Sequence, residues 1–397
     1  MTTPRYIRYC TRCVMPETKP DLQMDQQGVC SACRYLESRK AVDWDARKKE
    51  FLNLVEKYRS KNQSNYDCIV PVSGGKDSTF QVYKMLELGL NPLVVTALTC
   101  KQTDLGRRNL LNLRKLGVDA VEVATNPVAR RLMNRVGLRQ VGDICWPEHV
   151  TIFTVPVRVA VQYNVPLIIW GENAQNEYGG PAADAENNVL TRRWLEEFGG
   201  LLGLRVSDMI GQDGIQKKDL IQFTYPTDEE LARVGVTGLF LGHYVPWDGY
   251  TNALIAQGLG MEMTPNAVEG SLVNYENLDN AHQNIHDYFK FIKYGFGRTT
   301  DFACLHLRRG RLTRTDALML VKRLDGKFPW SYIGHKLEDL LGEMDMNLDE
   351  FKQICERFTN KKLFVQDSRG HLVRDKNYEL TKINYDNMPE QKEAVKA

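Results

Sequence analysis

The sequence predicts a doubly wound parallel α/β sheet with an N-terminal four-cysteine zinc module and a helical C-terminal region. Three observations carry this reading. Short apolar runs alternate with amphipathic stretches between residues 68 and 170, a glycine-rich turn joins the first run to the first stretch, and two CxxC pairs fall within the first 33 residues. The chain has 397 residues, 43% hydrophobic and 26% charged, enough to bury a core and to hold more than one domain. This excludes a fibrous or wholly disordered chain. With 52 basic against 50 acidic residues the net charge is +2, so no overall field draws the chain to nucleic acid or to an anionic membrane. Met1 to Cys10 holds Arg5 and Arg8 but no apolar run, so neither a signal nor a transit peptide is expected and a cytoplasmic protein is. The apolar stretch Val150 to Trp170 is broken by Pro156, Arg158, Gln162, Asn164 and Pro166, and reads as a buried helix followed by a strand.

The first element is the cysteine module, assigned to residues 1–40. Cys10-Thr-Arg-Cys13 and Cys30-Ser-Ala-Cys33 are separated by sixteen residues, a spacing at which two turns aim four thiolates at one tetrahedral Zn2+. Four protein ligands close the shell, so this metal is structural. The five other cysteines are scattered, with Cys100 at the end of a predicted strand and Cys145 in a loop as the two that chemistry could recruit.

The sheet domain is assigned to 41–260. Its first strand is Cys68 to Val72, followed by Ser73-Gly74-Gly75-Lys76-Asp77-Ser78 and a helix over Thr79 to Gly89. A strand, a glycine loop and a helix in that order gather backbone N–H groups and the positive end of a helix dipole around one point, which suits a phosphate. Lys76 adds a full charge, the Ser73 and Ser78 hydroxyls can donate to phosphate oxygens, and Asp77 can help place Mg2+. The loop is neither GxxxxGK[ST] nor GxGxxG. Further strands are predicted at Pro92 to Leu98, Val118 to Ala124, Val165 to Trp170 and Thr237 to Tyr244, and helices at Leu105 to Leu116, Val128 to Val136 and Glu148 to Tyr163. Ligands of such sheets lie beyond the carboxyl ends of the strands, where Glu172 and Asn173 follow the fourth. Residues 172–236 are too long for a simple crossover and are expected to form an insertion over the active site.

The region 261–397 reads as helical, with cap signatures at Thr313 to Asp316 and Asn347 to Glu350. His282 and His286 are four apart, but the glutamate of HExxH is missing, so surface or core histidines are expected. The stripe Tyr288, Phe289, Phe291 and Tyr294 reads as core. Lys293, Arg298, Arg308 and Arg314 are candidates for a basic cluster facing an anionic ligand such as the diphosphate of a nucleotide sugar.

SGGKDS resembles the PP-loop of the ATP pyrophosphatases, which cleave ATP between the α and β phosphates. Together with Tyr9-Cys-Thr-Arg-Cys-Val-Met-Pro16, Gly28-Val-Cys-Ser-Ala-Cys33 and Lys293-Tyr-Gly-Phe-Gly-Arg298, it resembles the N-acetyl sugar amidotransferases (WbpG-like and PseA-like proteins) of the PP-loop superfamily, over nearly the whole chain. The resemblance implies a HUP-type sheet and conversion of an acetamido group on a nucleotide-linked sugar into an acetamidino group, for surface polysaccharide such as O-antigen or for a nonulosonic acid. It also implies ATP, Mg2+ and Zn2+ as cofactors and ammonia from a HisH-like glutaminase partner. On this reading Ser73, Gly74, Gly75 and Ser78 hold pyrophosphate, Lys76 and Asp77 are catalytic, and Glu172, Asn173, Lys293 and Arg298 place substrate or ammonia. The alternative in the same fold is a tRNA-modifying thiolase using Cys100 or Cys145, against which stand the near-neutral charge and the lack of a basic stripe. A non-enzymatic partner protein is the third reading.

Overall fold

The computed structural model describes residues 7–172, 177–179, 189–190 and 201–383. Among the described residues six strands form the main sheet: β1 Cys68–Pro71, β2 Pro92–Ala97, β3 Asp119–Val123, β4 Leu167–Trp170, β5 Val189–Leu190 and β6 Thr237–Phe240. Their order is β3-β2-β1-β4-β6-β5. Every pairing is parallel except β5 with β6, which is antiparallel. The fold class is therefore the one expected, with an added edge strand, β5, too short to mark the sequence with an apolar run. Alternate residues serve opposite faces: Val70, Val94, Ile169 and Leu239 enter one apolar cluster, whereas Ile69, Leu93, Val95, Ile168 and Phe240 enter another. Burial on both faces explains why these strands read as unbroken apolar runs.

Helices α1 Ser31–Ser38 and α2 Trp44–Val55 precede the sheet, and α3 Lys76–Glu87 and α4 Asp104–Arg114 follow its first two strands. Thr103 caps α4 through its side chain, which accepts from the Gly106 N–H. Helix α5 Pro127–Val141 is longer than predicted, because Asn126 caps its start, Pro127 occupies its first position and only Gly142, at φ 61°, ends it. Helix α6 Trp146–Tyr163 packs its valines, among them Val155, Val157 and Val159, against the second face of the sheet. The fifth predicted strand is shorter than expected: it stops at Phe240, and α8 Leu241–Tyr244 begins at once, after the intervening α7 Asp228–Val234 and before α9 Gly249–Gly258.

Of the insertion's described residues, Met209, Ile215, Leu220 and Phe223 pack on Met133, Val136, Trp146 and Val150 of α5 and α6, whereas Glu172 and Tyr178 line the loop cavity. Asn173 lies outside the described residues, as does the tail from Met388.

The C-terminal region contains α10 Gln283–Tyr294, α11 Arg298–Arg308, α12 Arg314–Leu324, α13 Leu337–Gly342 and α14 Leu348–Phe358, with a small hairpin of β7 Ser331–Tyr332 and β8 His335–Lys336. Thr313 and Asn347 cap α12 and α14 as their sequences signal. Tyr288, Phe289 and Phe291 are buried in the core around α10, as expected for the aromatic stripe. The cysteine module does not stand apart from this region: Val14, Met15, Val29 and Ala32 share one apolar cluster with Phe296, Ala303, Ala317 and Val321. Among the described residues no helix is long and apolar enough to cross a membrane.

Candidate active site and metal centre

The sheet reverses its winding between β1 and β4, and the glycine loop leaves β1 at that point. Gly74 adopts φ 84°, a conformation that L side chains avoid, and a Cβ there would lie 2.6 Å from the Leu110 backbone nitrogen. The loop is thus pressed onto α4. Gly75 takes the N-cap position of α3, and its carbonyl accepts from the Ser78 hydroxyl at 3.1 Å and the Thr79 hydroxyl at 2.9 Å. With the loop braced from behind, the N–H groups at the start of α3 face a cavity of about 420 Å³, a size within the range of small-molecule sites.

Ser73, Gly74, Gly75, Lys76, Asp77 and Ser78 all line this cavity, as do Glu172 and Arg298, so the structure brings these eight predicted residues together. Lys76 is almost wholly buried, with its ammonium 2.5 Å from an Asp77 carboxylate oxygen and in contact with Glu276. Burial would depress the ammonium, but Asp77 and Glu276 outweigh it and hold Lys76 charged. Gly249 leaves the room for this side chain, since a Cβ there would sit 2.9 Å from Lys76 Cε. Asn252 of α9 donates to Asp77 Oδ1 at 2.8 Å and fixes that carboxylate. Arg298 opens α11 and grips Asp287 of α10 with Nε at 3.1 Å and Nη2 at 2.9 Å, which orients its guanidinium at the cavity wall.

Two carboxylates on the wall were not foreseen. Glu276 and Asp279 come from the polar loop between Tyr275 and Asn280, which has no periodicity to place it. Gly106 allows that loop to approach, because a Cβ there would collide with the Asp279 backbone. Burial, with the Asp77 charge adding, pushes the Glu172 carboxyl up to about 8. Burial likewise raises Glu276, and lifts Asp279 to about 6. Acids crowded in this way favour a bound cation. Asp77, Glu172 and Glu276 put three carboxylates on this cavity wall, with the Lys76 ammonium against Asp77 and Glu276.

Lys293 is not at the cavity. Its ammonium donates to the Val141 and Gly142 carbonyls at 2.6 and 2.9 Å, closing the C-terminus of α5, so its predicted place beside the substrate is corrected to a capping role. Arg308 and Arg314 do not join Arg298 either. Arg308 Nη2 lies 3.7 Å from Cys13 Sγ and 4.0 Å from Cys30 Sγ, and its Nη1 donates to the Glu177 carbonyl at 3.1 Å. Cys100 and Cys145 are absent from the cavity lining, and burial raises both thiols, Cys100 to about 12.

The four N-terminal cysteines are buried and free of disulfides, with their sulfurs within 4.8 Å of one another. Cys10 and Cys33 sulfurs are 3.9 Å apart, and Cys13 and Cys30 sulfurs 3.7 Å. Tetrahedral zinc with bonds of about 2.3 Å sets its sulfurs roughly 3.8 Å apart, so the spacing fits. The backbone N–H groups of Arg12, Cys13 and Cys30 point to Cys10 Sγ at 3.3 to 3.4 Å, as donors to a thiolate do. Four thiolates around Zn2+ would leave a net negative charge, and half-buried Arg308 lies against it.

A glycine loop at the switch point of a parallel sheet, a buried lysine and a face of carboxylates make a cavity suited to the phosphates of a nucleotide. Residues 269–382 match the family described as LPS biosynthesis protein WbpG-like, C-terminal domain. That matched stretch supplies Glu276, Asp279 and Arg298 to the cavity, so the part of the chain similar to WbpG-like proteins faces the phosphate loop. No curated protein matches the chain. Among solved structures it is similar to NMN synthetase from Francisella tularensis, at 11% identity over 57% of this chain and 100% of that one, with a TM-score of 0.28, too low for any argument to rest on it.

Proposed function

We propose that this chain is an ATP-dependent, AMP- and pyrophosphate-forming amidotransferase that converts an acetamido group of a nucleotide-linked sugar into an acetamidino group. The observation that carries the reading is the pairing of the SGGKDS loop with a WbpG-like domain around one cavity. The amide oxygen attacks the α-phosphorus of ATP and pyrophosphate leaves, which turns a poor leaving group into AMP. Ammonia then adds to the imidate carbon, and expulsion of AMP with loss of a proton gives the amidine. The N–H groups and hydroxyls of Ser73 to Ser78 grip the departing pyrophosphate, and Lys76 neutralises charge that builds on it. Asp77, Glu172 and Glu276 would hold Mg2+, which would screen the phosphate oxygens when bound. Arg298, fixed by Asp287, suits an anionic group of the sugar nucleotide. The closed four-thiolate shell offers no open position, so zinc there would hold the module together.

Ammonia from a HisH-like glutaminase and a product destined for surface polysaccharide complete the proposal. The tRNA thiolase reading is not favoured, because neither Cys100 nor Cys145 lines the loop cavity. The test measures AMP release with candidate acetamido sugar nucleotides and ammonium, comparing wild type with Lys76→Ala. Sugar-dependent AMP formation that falls at least on the order of a hundredfold in the variant is expected. Undiminished turnover would remove the loop from the mechanism.

A further inference from the structure

A histidine, a glutamate and a lone cysteine meet in space outside the loop cavity. Cys100 follows β2, Glu148 lies in the first turn of α6, and His282 is the N-cap of α10; one ligand atom from each lies within 4.8 Å of the others. We propose that Cys100, Glu148 and His282 bind a second zinc ion, with one coordination position left open.

Four properties of these residues support the site. His282 is 2% exposed, and its Nδ1 has no hydrogen-bond partner, which is costly for a buried ring nitrogen unless something else meets it. Glu148, also buried, is oriented from behind: Oε2 accepts from Asn134 Nδ2 at 3.1 Å, and Oε1 from the Cys100 N–H at 3.1 Å, with Arg130 Nε 3.4 Å away. Lone pairs remain on both oxygens, and hydrogen bonds to a carboxylate ligand are the usual support of a metal centre. Cys100 is only partly buried and gives a path in from solvent. The ligand set is a thiolate, an imidazole and a carboxylate, the mixture zinc accepts, and three protein ligands are the number found where zinc keeps a water. Binding takes a proton from the Cys100 thiol and hands it to solvent buffer. Zinc needs these atoms about 3 to 4 Å apart, so the present spacing closes with a side-chain adjustment of about 1 Å.

The neighbouring group, Asp143, Cys145 and His286, shows the contrast. It is satisfied internally: Asp143 meets His286 at 2.8 Å and His149 at 3.1 Å, and Cys145 accepts from Asn280 Nδ2 at 3.6 Å. An ion at Cys100, Glu148 and His282 would pin three segments together, one of which continues directly from the wall residues Glu276 and Asp279.

The experiment counts zinc per chain by plasma mass spectrometry in the full-length protein after dialysis against zinc-free buffer, alongside His282→Gln and Cys100→Ser. The readout is the difference between wild type and variant, so it stands whatever the four-cysteine module and the ATP chemistry do. One zinc fewer per chain in each variant is expected, together with a weaker thiolate-to-metal charge-transfer band after cobalt substitution. Equal zinc in wild type and both variants overturns the site. If His282→Gln fails to fold, Cys100→Ser decides alone, being a change at a partly exposed side chain.

Discussion

Gly74→Ala tests the loop most directly. The new Cβ would lie 2.6 Å from Leu110 N, 2.9 Å from Leu110 Cα and 3.0 Å from the Asn109 carbonyl carbon, all backbone atoms of α4, whereas ordinary contact begins at 3.4 Å. Relief requires the loop or α4 to move by about 0.8 Å, and no side chain can give way instead. A left-handed conformation costs an alanine roughly 1–2 kcal/mol, and overpacking adds about 1–3 kcal/mol. The expected loss of stability is therefore about 2–5 kcal/mol, with turnover down on the order of a hundredfold because displacement of a positioning group by about 1 Å has that effect. Gly75→Ala is the internal control: its φ is −77°, and the nearest atom to a new Cβ is the Ser73 hydroxyl at 3.4 Å. Denaturant unfolding and ATP titration of both variants decide the matter. If Gly74→Ala unfolds with the wild-type midpoint and binds ATP normally, or if Gly75→Ala is equally destabilised, the account of the loop is wrong.

Glu172→Gln is expected to raise the melting temperature of the ligand-free protein at pH 8.5 and leave it nearly unchanged at pH 4. The carboxyl's folded value near 8 lies above its unfolded one, so its ionisation opposes folding increasingly as pH climbs from about 4.5 through 8. A melting profile that moves equally at both pH values would refute this. Lys293→Ala should leave AMP formation intact but lower stability by about 1 kcal/mol, since it removes the cation that closes α5; a selective loss of turnover would restore it to the site. Cys13→Ser should lower bound zinc by one ion per chain and lower the unfolding midpoint, because a shell of three thiolates leaves the tetrahedral site one ligand short; unchanged zinc content would count against the four-cysteine centre.

The sheet was legible because its strands are buried on both faces, so Cys68 to Val72 and Val165 to Trp170 stand out as apolar runs bounded by turn residues. The phosphate loop was legible because its chemistry is contiguous. The rest of the site was not, for a physical reason: Asn252 reaches Asp77 across 175 residues, and Glu276 reaches Lys76 from an aperiodic loop. Contacts of that range leave no local pattern. Lys293 misled because a charge near a glycine turn reads alike whether it faces a ligand or caps a helix. The extension of α5 to Val141 was hidden in a polar, arginine-rich stretch whose buried side is supplied by the insertion.

The cluster shared by Val14, Met15, Val29 and Ala32 with Phe296, Ala303, Ala317 and Val321 joins two distant stretches of the polypeptide in one interior. During synthesis the earlier stretch therefore emerges long before its packing partners exist, and must wait exposed while the whole sheet domain is made. A metal held by its four thiols would then be its local means of keeping shape, and early capture would shield a nascent segment whose apolar side chains otherwise invite misassembly.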